Sequence, residues 1–404
     1  MKYGEEATEQ QTQQLAKKAD RVDGSASKQS GLAQTSRHII IDNRIRRSST
    51  GRYADRLVEH LQEIDKVNKY TILLEPDDNW QPLAENFKSL ACPYKRFSFN
   101  PLDQITYARF LNKLKPDLVH FGMTPQEPIF YLGVRVTTTH DLTMLRFTRA
   151  GKLPLPLHWL RMAGYRLLFW HSHRASKKII TISNFVRDDI IRLHPFTKDK
   201  ITVTYESSEP PTAENAEPLQ GIKKPFILHI GSPFPHKNID RLIKAFTLLK
   251  ESYPDLQLVL AGKKEQYYEK LEKDIKHSSV REDIITPGFI SEPERKWALE
   301  NAAVYVLPSL SEGFGLPGLE AMVHGCPLVS SNATCSPEIY ADAAQYFDPK
   351  DFKDMASKVS QVISDDNLRQ SLIKKGYDQV GKYSWRKMAE ETLVIYNQVL
   401  ESAN

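Results

Sequence analysis

From Arg37 onward, short unbroken apolar runs alternate with stretches in which apolar residues return every three or four positions. Arg37-His-Ile-Ile-Ile-Asp42 has the length and content of a strand buried on both faces. Tyr53, Leu57, Leu61 and Ile64 then fall on one side of a helix. The same reading predicts strands at Tyr70–Leu74, Leu118–Phe121, Arg135–His140, Lys178–Ile182 and Ile201–Thr204, with helices at Pro101–Lys115 and Asn184–Leu193. Repeated alternation of this kind predicts a parallel sheet with helices on both faces.

Periodicity stops at Glu206-Ser-Ser-Glu-Pro-Pro-Thr-Ala-Glu-Asn-Ala-Glu-Pro218, whose Pro, Ser and Glu content reads as a linker. A second series follows. Its strands are expected at Phe226–Ile230, Gln257–Ala261, Ile284–Thr286, Val304–Leu307 and Pro327–Ser330. Its helices are expected at Asn238–Ser252, Glu265–His277, Pro293–Asn301 and Pro317–His324, and everything after Asp351 is helical, ending in Trp385–Glu401. The expected fold class is therefore α/β: two doubly wound, Rossmann-like parallel-sheet domains facing a cleft. Residues 1–36 lack apolar periodicity and are expected to be a disordered tail. The N-terminal domain is set at 37–208, the linker at 209–222 and the C-terminal domain at 223–384. A helix over 385–404 is expected to pack back on the N-terminal domain.

Composition removes several function classes. The 404 residues, 40% hydrophobic and 26% charged, suffice for two cores. The sequence has no run of about 18 apolar residues for a membrane span and no apolar segment near Met1 for a signal peptide. A cytoplasmic location is expected. Three scattered cysteines make neither a disulfide frame nor a cysteine zinc site, and no Asp cluster suited to magnesium is present, so no metal is expected. The net charge of +5 conceals an asymmetry. Residues 36–205 carry 27 Lys and Arg against 16 Asp and Glu, whereas residues 206–404 carry 23 against 29. The two domains thus present surfaces of opposite sign.

In open α/β sheets ligands sit beyond the carboxyl ends of the strands, which directs attention to four loops. In Gly231-Ser232-Pro-Phe-Pro-His-Lys237-Asn, the glycine allows a tight turn and the lysine arrives beside a helix N-terminus, where it can meet a phosphate or remain a turn lysine. In Ser311-Glu312-Gly313-Phe314-Gly315-Leu316-Pro-Gly-Leu-Glu320, glycines at a helix start build an anion-accepting nest flanked by two carboxylates. Such carboxylates suit sugar or ribose hydroxyls; otherwise they are solvated glutamates. His140-Asp141 at the end of Thr137-Thr-Thr is an acid–base couple, a hydrogen-bonding platform or a structural cap. Ser48-Ser-Thr-Gly51-Arg52 can approach a phosphate.

The spacing Glu312-x7-Glu320 within SEGFGLPGLEAMVHGCPLVSS closely resembles the signature of family 4 glycosyltransferases, retaining enzymes of the GT-B fold. The runs ILHIGSPFPHKNIDRLIKAF, TTTHDLT, IITISNFVRDDI and YSWRKMAEET are similar to the same family, so the resemblance extends from about Arg37 to the end. It implies transfer of a hexose from a nucleotide diphosphate sugar, held mainly by the C-terminal domain, to an acceptor on the N-terminal domain. No metal or further cofactor is implied. Glu312 would hold the sugar hydroxyls and Glu320 the ribose diol. Lys237 would neutralise the diphosphate with backbone N–H groups of Phe314 to Leu316, beside Gly231, Ser232 and Gly313. His140 would approach the sugar from the opposite wall, Gly51 would border the phosphates and Gly288-Phe289 the base. One departure stands out: the family often has an arginine where Ser232 stands, so Arg52 or a helix N-terminus would make up the charge. The His-Lys-Asn run after Pro235 is similar to members that use GDP-mannose, with UDP-sugars as the other donor class.

Between Asp141 and Asp188 there is no acidic residue, while Arg146, Arg149, Lys152, Arg161, Arg166, Arg174, Lys177, Lys178 and Arg187 alternate with Leu153–Leu157, Trp159, Tyr165 and Leu167–Trp170. This pattern suits an anionic membrane surface, with a core helix bearing solvated arginines as the other reading. Nucleic acid is not expected as a partner, since no recognition motif appears. The sequence as a whole reads as a glycosyltransferase acting on a glycan or lipid-linked acceptor in polysaccharide or glycoconjugate synthesis, peripheral at the cytoplasmic face of the membrane. The alternatives are a non-catalytic sugar-nucleotide- or partner-binding protein of the same fold and a nucleotide-sugar epimerase.

Overall fold

The computed structural model describes residues 35–402 apart from 49, 148–153, 213 and 265–266. The expected tail over 1–34, Arg149, Lys152, Leu153 and the expected helix start at Glu265 lie outside the described residues. The first sheet contains β1 (His38–Asp42), β2 (Lys69–Leu74), β3 (Phe87–Ala91), β4 (Leu118–Phe121), β5 (Arg135–Thr139), β6 (Lys178–Thr181) and β7 (Ile201–Val203). Its spatial order is β3-β2-β1-β4-β5-β6-β7, with every neighbouring pair parallel. The second sheet contains β8 (Phe226–Ile230), β9 (Gln257–Ala261), β10 (Ile284–Gly288), β11 (Val304–Leu307), β12 (Leu328–Ser331) and β13 (Ala344–Phe347). Its order is β10-β9-β8-β11-β12-β13, again parallel throughout. Chain order reverses between β1 and β4 in the first sheet and between β8 and β11 in the second. These are the crevices in which doubly wound sheets bind ligands.

The helices of the first half are α1 (Gly51–Ile64), α2 (Pro101–Lys113), α3 (Thr143–Arg146), α4 (Leu155–Ala175) and α5 (Asn184–Leu193). Those of the second are α6 (Ile239–Ser252), α7 (Tyr268–Lys276), α8 (Glu292–Asn301), α9 (Leu316–Val323), α10 (Ser336–Tyr340), α11 (Phe352–Ser364), α12 (Asp366–Val380) and α13 (Trp385–Ser402). Local chemistry sets several of their ends. Asn100 accepts from the Leu102 N–H ahead of Pro101, and Ser291 with Glu294 forms a reciprocal capping box. Two strands escape the sequence pattern, β3 (FKSLA) and β13 (AQYF). Both lie at sheet edges, where one side and part of a face stay exposed, so neither needs the apolar run that identifies a central strand.

Ile39 and Ile41 of β1, the apolar face of α1 and the inner residues of β8, β9 and β11 belong to one continuous core. Tyr53, Ala54, Leu57, Val58 and Leu61 bury the α1 face almost completely, at roughly 1.5–3 kcal/mol for each large side chain. That face rests on α13, whose Met388, Ile395, Tyr396 and Val399 are equally buried. Tyr396 Oη lies 2.5 Å from His120 Nδ1 on β4. The last helix of the chain is thereby built into the first sheet's layer.

Candidate active site

On the second sheet, the loops after β8, β9 and β10 meet backbone to backbone. The Gly231 N–H donates to Ala261 O and the Gly262 N–H to Gly288 O, both at 2.8 Å. A Cβ on Gly262 would stand 2.3 Å from Gly231 O, so only glycine lets these strand ends close up. Gly288 adopts φ +86° and, with Phe289, Lys263 and Lys264, lines an open pocket at the sheet's edge. Phe289 is 73% exposed there, an aromatic face on offer. Ser232 lies beside Gly231, its carbonyl accepting from the Phe234 N–H.

The next turn brings the chemistry together. Pro235–Lys237 forms a short 3-10 turn, and Asn238, at φ +60°, spans two loops by donating to Pro308 O at 2.9 Å and Pro349 O at 2.8 Å. His236 O accepts from the Leu310 N–H at 2.7 Å. These ties fasten the loop after β8 to the loop after β11, and Lys237 Nζ lands 2.7 Å from Glu312 Oε1. Glu312 is anchored by its own backbone, which donates to Thr334 Oγ1 at 3.1 Å. Burial pushes the Glu312 carboxyl up, but the Lys237 ammonium beside it more than offsets this, and the group ends below its ordinary value. Neither carboxylate of the motif is a solvated glutamate. Glu320, buried on α9, is met by Arg52 of α1 from across the cleft and by Arg295 Nη1 of α8 at 3.2 Å. Burial pulls the Arg52 guanidinium down, and Glu320 brings it net above its usual value.

Gly315, at φ +89°, precedes α9, and a Cβ there would run into Tyr340 Oη at 2.1 Å. Tyr340 in turn donates to Gly315 O at 2.5 Å, fixing the turn that aims the first N–H groups of α9 into the cleft. Phe314 does not face the cleft: its ring is buried against Tyr205 and Tyr383, leaving only its backbone for a ligand. Leu316 is likewise packed against the core. Gly51 is demanded by its own loop, because a Cβ would meet Ile45 O and Arg46 O at 2.3–2.4 Å.

The first sheet reaches this loop from the other side. A Cβ on Gly313 would stand 2.2 Å from His140 O. Thr143 Oγ1 lies 3.0 Å from Ser311 Oγ, and Ser183 donates to Gly313 O at 2.7 Å, so the N-terminal domain grips the loop on both sides of Glu312. Glu338 of α10 accepts from the Asn184 and Phe185 N–H groups at 2.7 and 2.8 Å, capping α5 across the same interface.

His140 is buried, with Nε2 3.0 Å from Gly122 O, its ring in a T-shaped contact with Tyr53 and Nδ1 3.3 Å from Glu206 Oε1. The adjacent Asp141 is not its partner. Asp141 Oδ1 accepts from the Thr143 N–H at 2.8 Å and caps the following turn, so the His140-Asp141 couple gives way to His140–Glu206. Glu206, Arg295, Ser183 and Glu338 were not singled out by sequence pattern. Ser183 is legible as a helix cap, but its grip on Gly313 has no local signal. Among the described residues, no three His, Cys, Asp or Glu side chains gather as a metal ion would require.

Comparison with known proteins identifies the family and the fold. Residues 213–379 match the family described as Glycosyl transferases group 1, and residues 50–206 match Glycosyltransferase Family 4. The chain is 32% identical over 282 residues to the O-antigen chain mannosyltransferase B of Escherichia coli, covering 67% of this chain and 72% of that protein. It is 27% identical to the serotype-specific mannosyltransferase WbdA of E. coli, over 58% of this chain and 29% of that longer protein. In fold it is similar to the sucrose-phosphate synthase of Thermosynechococcus elongatus, with a TM-score of 0.71, 14% identity, and 91% and 100% of the two chains covered. Two matched family regions flanking one cleft, and a relative this similar over most of its length, place the chain in family 4, group 1, of the glycosyltransferases, with the GT-B fold.

Proposed function

We propose that this glycosyltransferase moves mannose from GDP-mannose, or a hexose from a UDP-sugar, to a glycan or lipid-linked acceptor in the synthesis of an O-antigen-like polysaccharide. The observation that carries the reading is the Lys237–Glu312 pair, 2.7 Å apart at the switch point of the second sheet, with the His140 backbone against the neighbouring Gly313. An ammonium and a carboxylate side by side divide a sugar nucleotide between them: the cation answers the diphosphate and the carboxylate accepts from sugar hydroxyls. The α9 N-terminus beyond Gly315 adds backbone donors for the same phosphates. Glu320, on the first turns of α9, suits the ribose diol, and Gly288 with Phe289 suits the base. Ser232 supplies no charge, and Arg52, reaching over from α1, supplies the second cation.

Breaking the bond from the sugar to the diphosphate chiefly requires charge stabilisation where the leaving group departs. Lys237, Arg52 and the helix N-terminus provide it without a metal ion. Transfer with retained anomeric configuration is the chemistry we assign, on the resemblance of the Glu312-x7-Glu320 loop to that of retaining enzymes. The mannose preference is supported by the names of the two E. coli relatives and by the His236-Lys237-Asn238 run.

No helix among the described residues is long and apolar enough to cross a membrane. The outer face of α4 nonetheless exposes Leu155, Leu157, Trp159, Leu160, Leu167 and Trp170 beside Arg166 and Arg174. Tryptophans with arginines on an exposed apolar face suit the interface of an anionic membrane, and a peripheral position there would bring the cleft to a lipid-linked acceptor. The deciding experiment offers labelled GDP-mannose, UDP-glucose and UDP-galactose with a membrane extract. Radiolabel is expected in the lipid or polymer fraction from one donor, with GDP-mannose first. Donor binding without transfer or hydrolysis would favour a non-catalytic sugar-nucleotide-binding role, and interconversion of free nucleotide sugars would favour an epimerase.

A further inference from the structure

His140 stands out among the candidate residues because both of its ring nitrogens face oxygen acceptors. Nδ1 lies 3.3 Å from Glu206 Oε1 and Nε2 lies 3.0 Å from the carbonyl oxygen of Gly122. A neutral imidazole carries one N–H and one lone pair, and a lone pair aimed at a carbonyl or carboxylate oxygen is repelled. With Glu206 ionised, both contacts are satisfied together only when both nitrogens carry protons. We propose that Glu206 is a positioning residue that holds His140 as an imidazolium at the wall of the cleft, so that His140 acts by fixed charge and not by proton transfer. This rests on the glycosyltransferase reading above for its catalytic meaning, though the charge state stands on the geometry alone.

The surroundings agree. His140 and Glu206 are only 7% and 4% exposed, so their interaction is weakly screened. From α1, the Tyr53 ring makes a T-shaped contact with the imidazole, their centroids 4.9 Å apart. From β4, burial drives His120 down to about 3, leaving that neighbour neutral. Asp141, on the same loop, adds a second carboxyl nearby, and Arg52 and Glu312 stand further out toward the cleft. Burial lowers the affinity of His140 for its proton, but Glu206, the Gly122 carbonyl and Asp141 together more than offset this and leave it above the ordinary value. Glu206 itself comes from the stretch after β7 where the chain leaves the first sheet. The charge-holding contact is therefore made by the segment that connects the two domains.

A general acid or base needs a nitrogen free to reach its substrate. Here both are occupied, while the His140 carbonyl lies against Gly313, next to Glu312. A buried positive charge behind this loop favours a departing diphosphate without any proton leaving the ring.

The test is Glu206→Gln, which keeps an oxygen acceptor in place and removes the charge. In the full chain labelled with 15N-histidine, the His140 resonances are assigned by their loss in His140→Gln. In the wild type both nitrogens are expected protonated at pH 7.5, and in Glu206→Gln only one. In kinetics, the protonated form is the active one, so activity falls as pH rises through the raised value. Glu206→Gln is expected to move that alkaline limb down by about 1 pH unit or more. A neutral, single-tautomer His140 in the wild type at pH 7.5 overturns the proposal even if the variant fails to fold. An unmoved His140 titration in Glu206→Gln also overturns it. Because the NMR readout needs no turnover, absence of any transferase activity would instead defeat the functional reading and leave the imidazolium assignment standing.

Discussion

At the carboxyl edge of the second sheet, Lys237 and Glu312 find each other within one domain, on loops tied together by Asn238 and His236. At the matching edge of the first sheet, the polar groups look elsewhere for partners: His140 to Glu206 in the connecting segment, Arg52 to Glu320 on the opposite domain. The topologies are alike, yet the acidic half carries a charge pair complete in itself, whereas the basic half draws its partners from the connecting segment and from the opposite domain. Donor recognition can therefore be built into one domain, whereas the charge on the facing wall depends on how the two halves close.

The strongest way to break this comparison is to remove the self-contained pair. Glu312→Ala is expected to lower kcat on the order of 10^2–10^3-fold, the size typical of losing one preorganised electrostatic group. Circular dichroism should report an unchanged fold; unaltered turnover would end the role given to Glu312. Lys237→Ala leaves a carboxylate only 12% exposed without its cation, a change that costs about 3–5 kcal/mol in buried pairs. A clear fall in Tm and a raised donor KM are expected. The pH dependence gives the sign. A carboxyl held below its ordinary value stabilises the fold above about pH 4.3 and loses that contribution as pH falls through the depressed value. Wild-type Tm should therefore drop on acidification below pH 4.3, and Lys237→Ala should flatten the Glu312 part of that slope.

The cross-cleft contacts are sharpened by moving a cation from one domain to the other. Arg52→Ala is expected to weaken donor binding, measured by calorimetry, by about tenfold, as expected for a lost charged hydrogen bond. Ser232→Arg in the same chain should recover most of it, because the new guanidinium stands on the donor side. Failure of Arg52→Ala to change affinity would separate Arg52 from the diphosphate. The smallest effect on chemistry belongs to the exposed face of α4. Trp159→Ser with Trp170→Ser should reduce co-sedimentation with phosphatidylglycerol vesicles several-fold while leaving turnover of a soluble acceptor within twofold. Wild-type binding should weaken from 50 to 500 mM salt; binding equally strong to neutral vesicles would count against the basic rim.

Much of the fold was readable because central parallel strands must be apolar on both faces. Leu118–Phe121, Phe226–Ile230, Gln257–Ala261 and Val304–Leu307 coincide with their expected spans for that reason. β3 and β13 were not readable, since an edge strand takes its register from its neighbour and carries few apolar residues. The same contrast holds in the site. Gly231, Lys237, Glu312, Gly313 and Gly315 sit on two short loops, with Glu320 on the helix that follows the second, and their glycines and charges stand out locally. The Glu206–His140 contact has no such signal, and Glu206 falls in a stretch that reads only as a break in periodicity.

The sequence by itself determined the alternation of strands and helices, the two-domain α/β architecture, the E-x7-E loop and the opposed charges of the halves, because each follows from residues close together in the chain. Only the tertiary structure decided that His140 answers to Glu206 and not Asp141, that Arg52 crosses the cleft to Glu320, and that Ser183 and Thr143 grip the loop around Glu312. These are contacts between segments far apart in sequence, and their partners are set by how the two sheets pack and close, a property no local pattern of residues encodes.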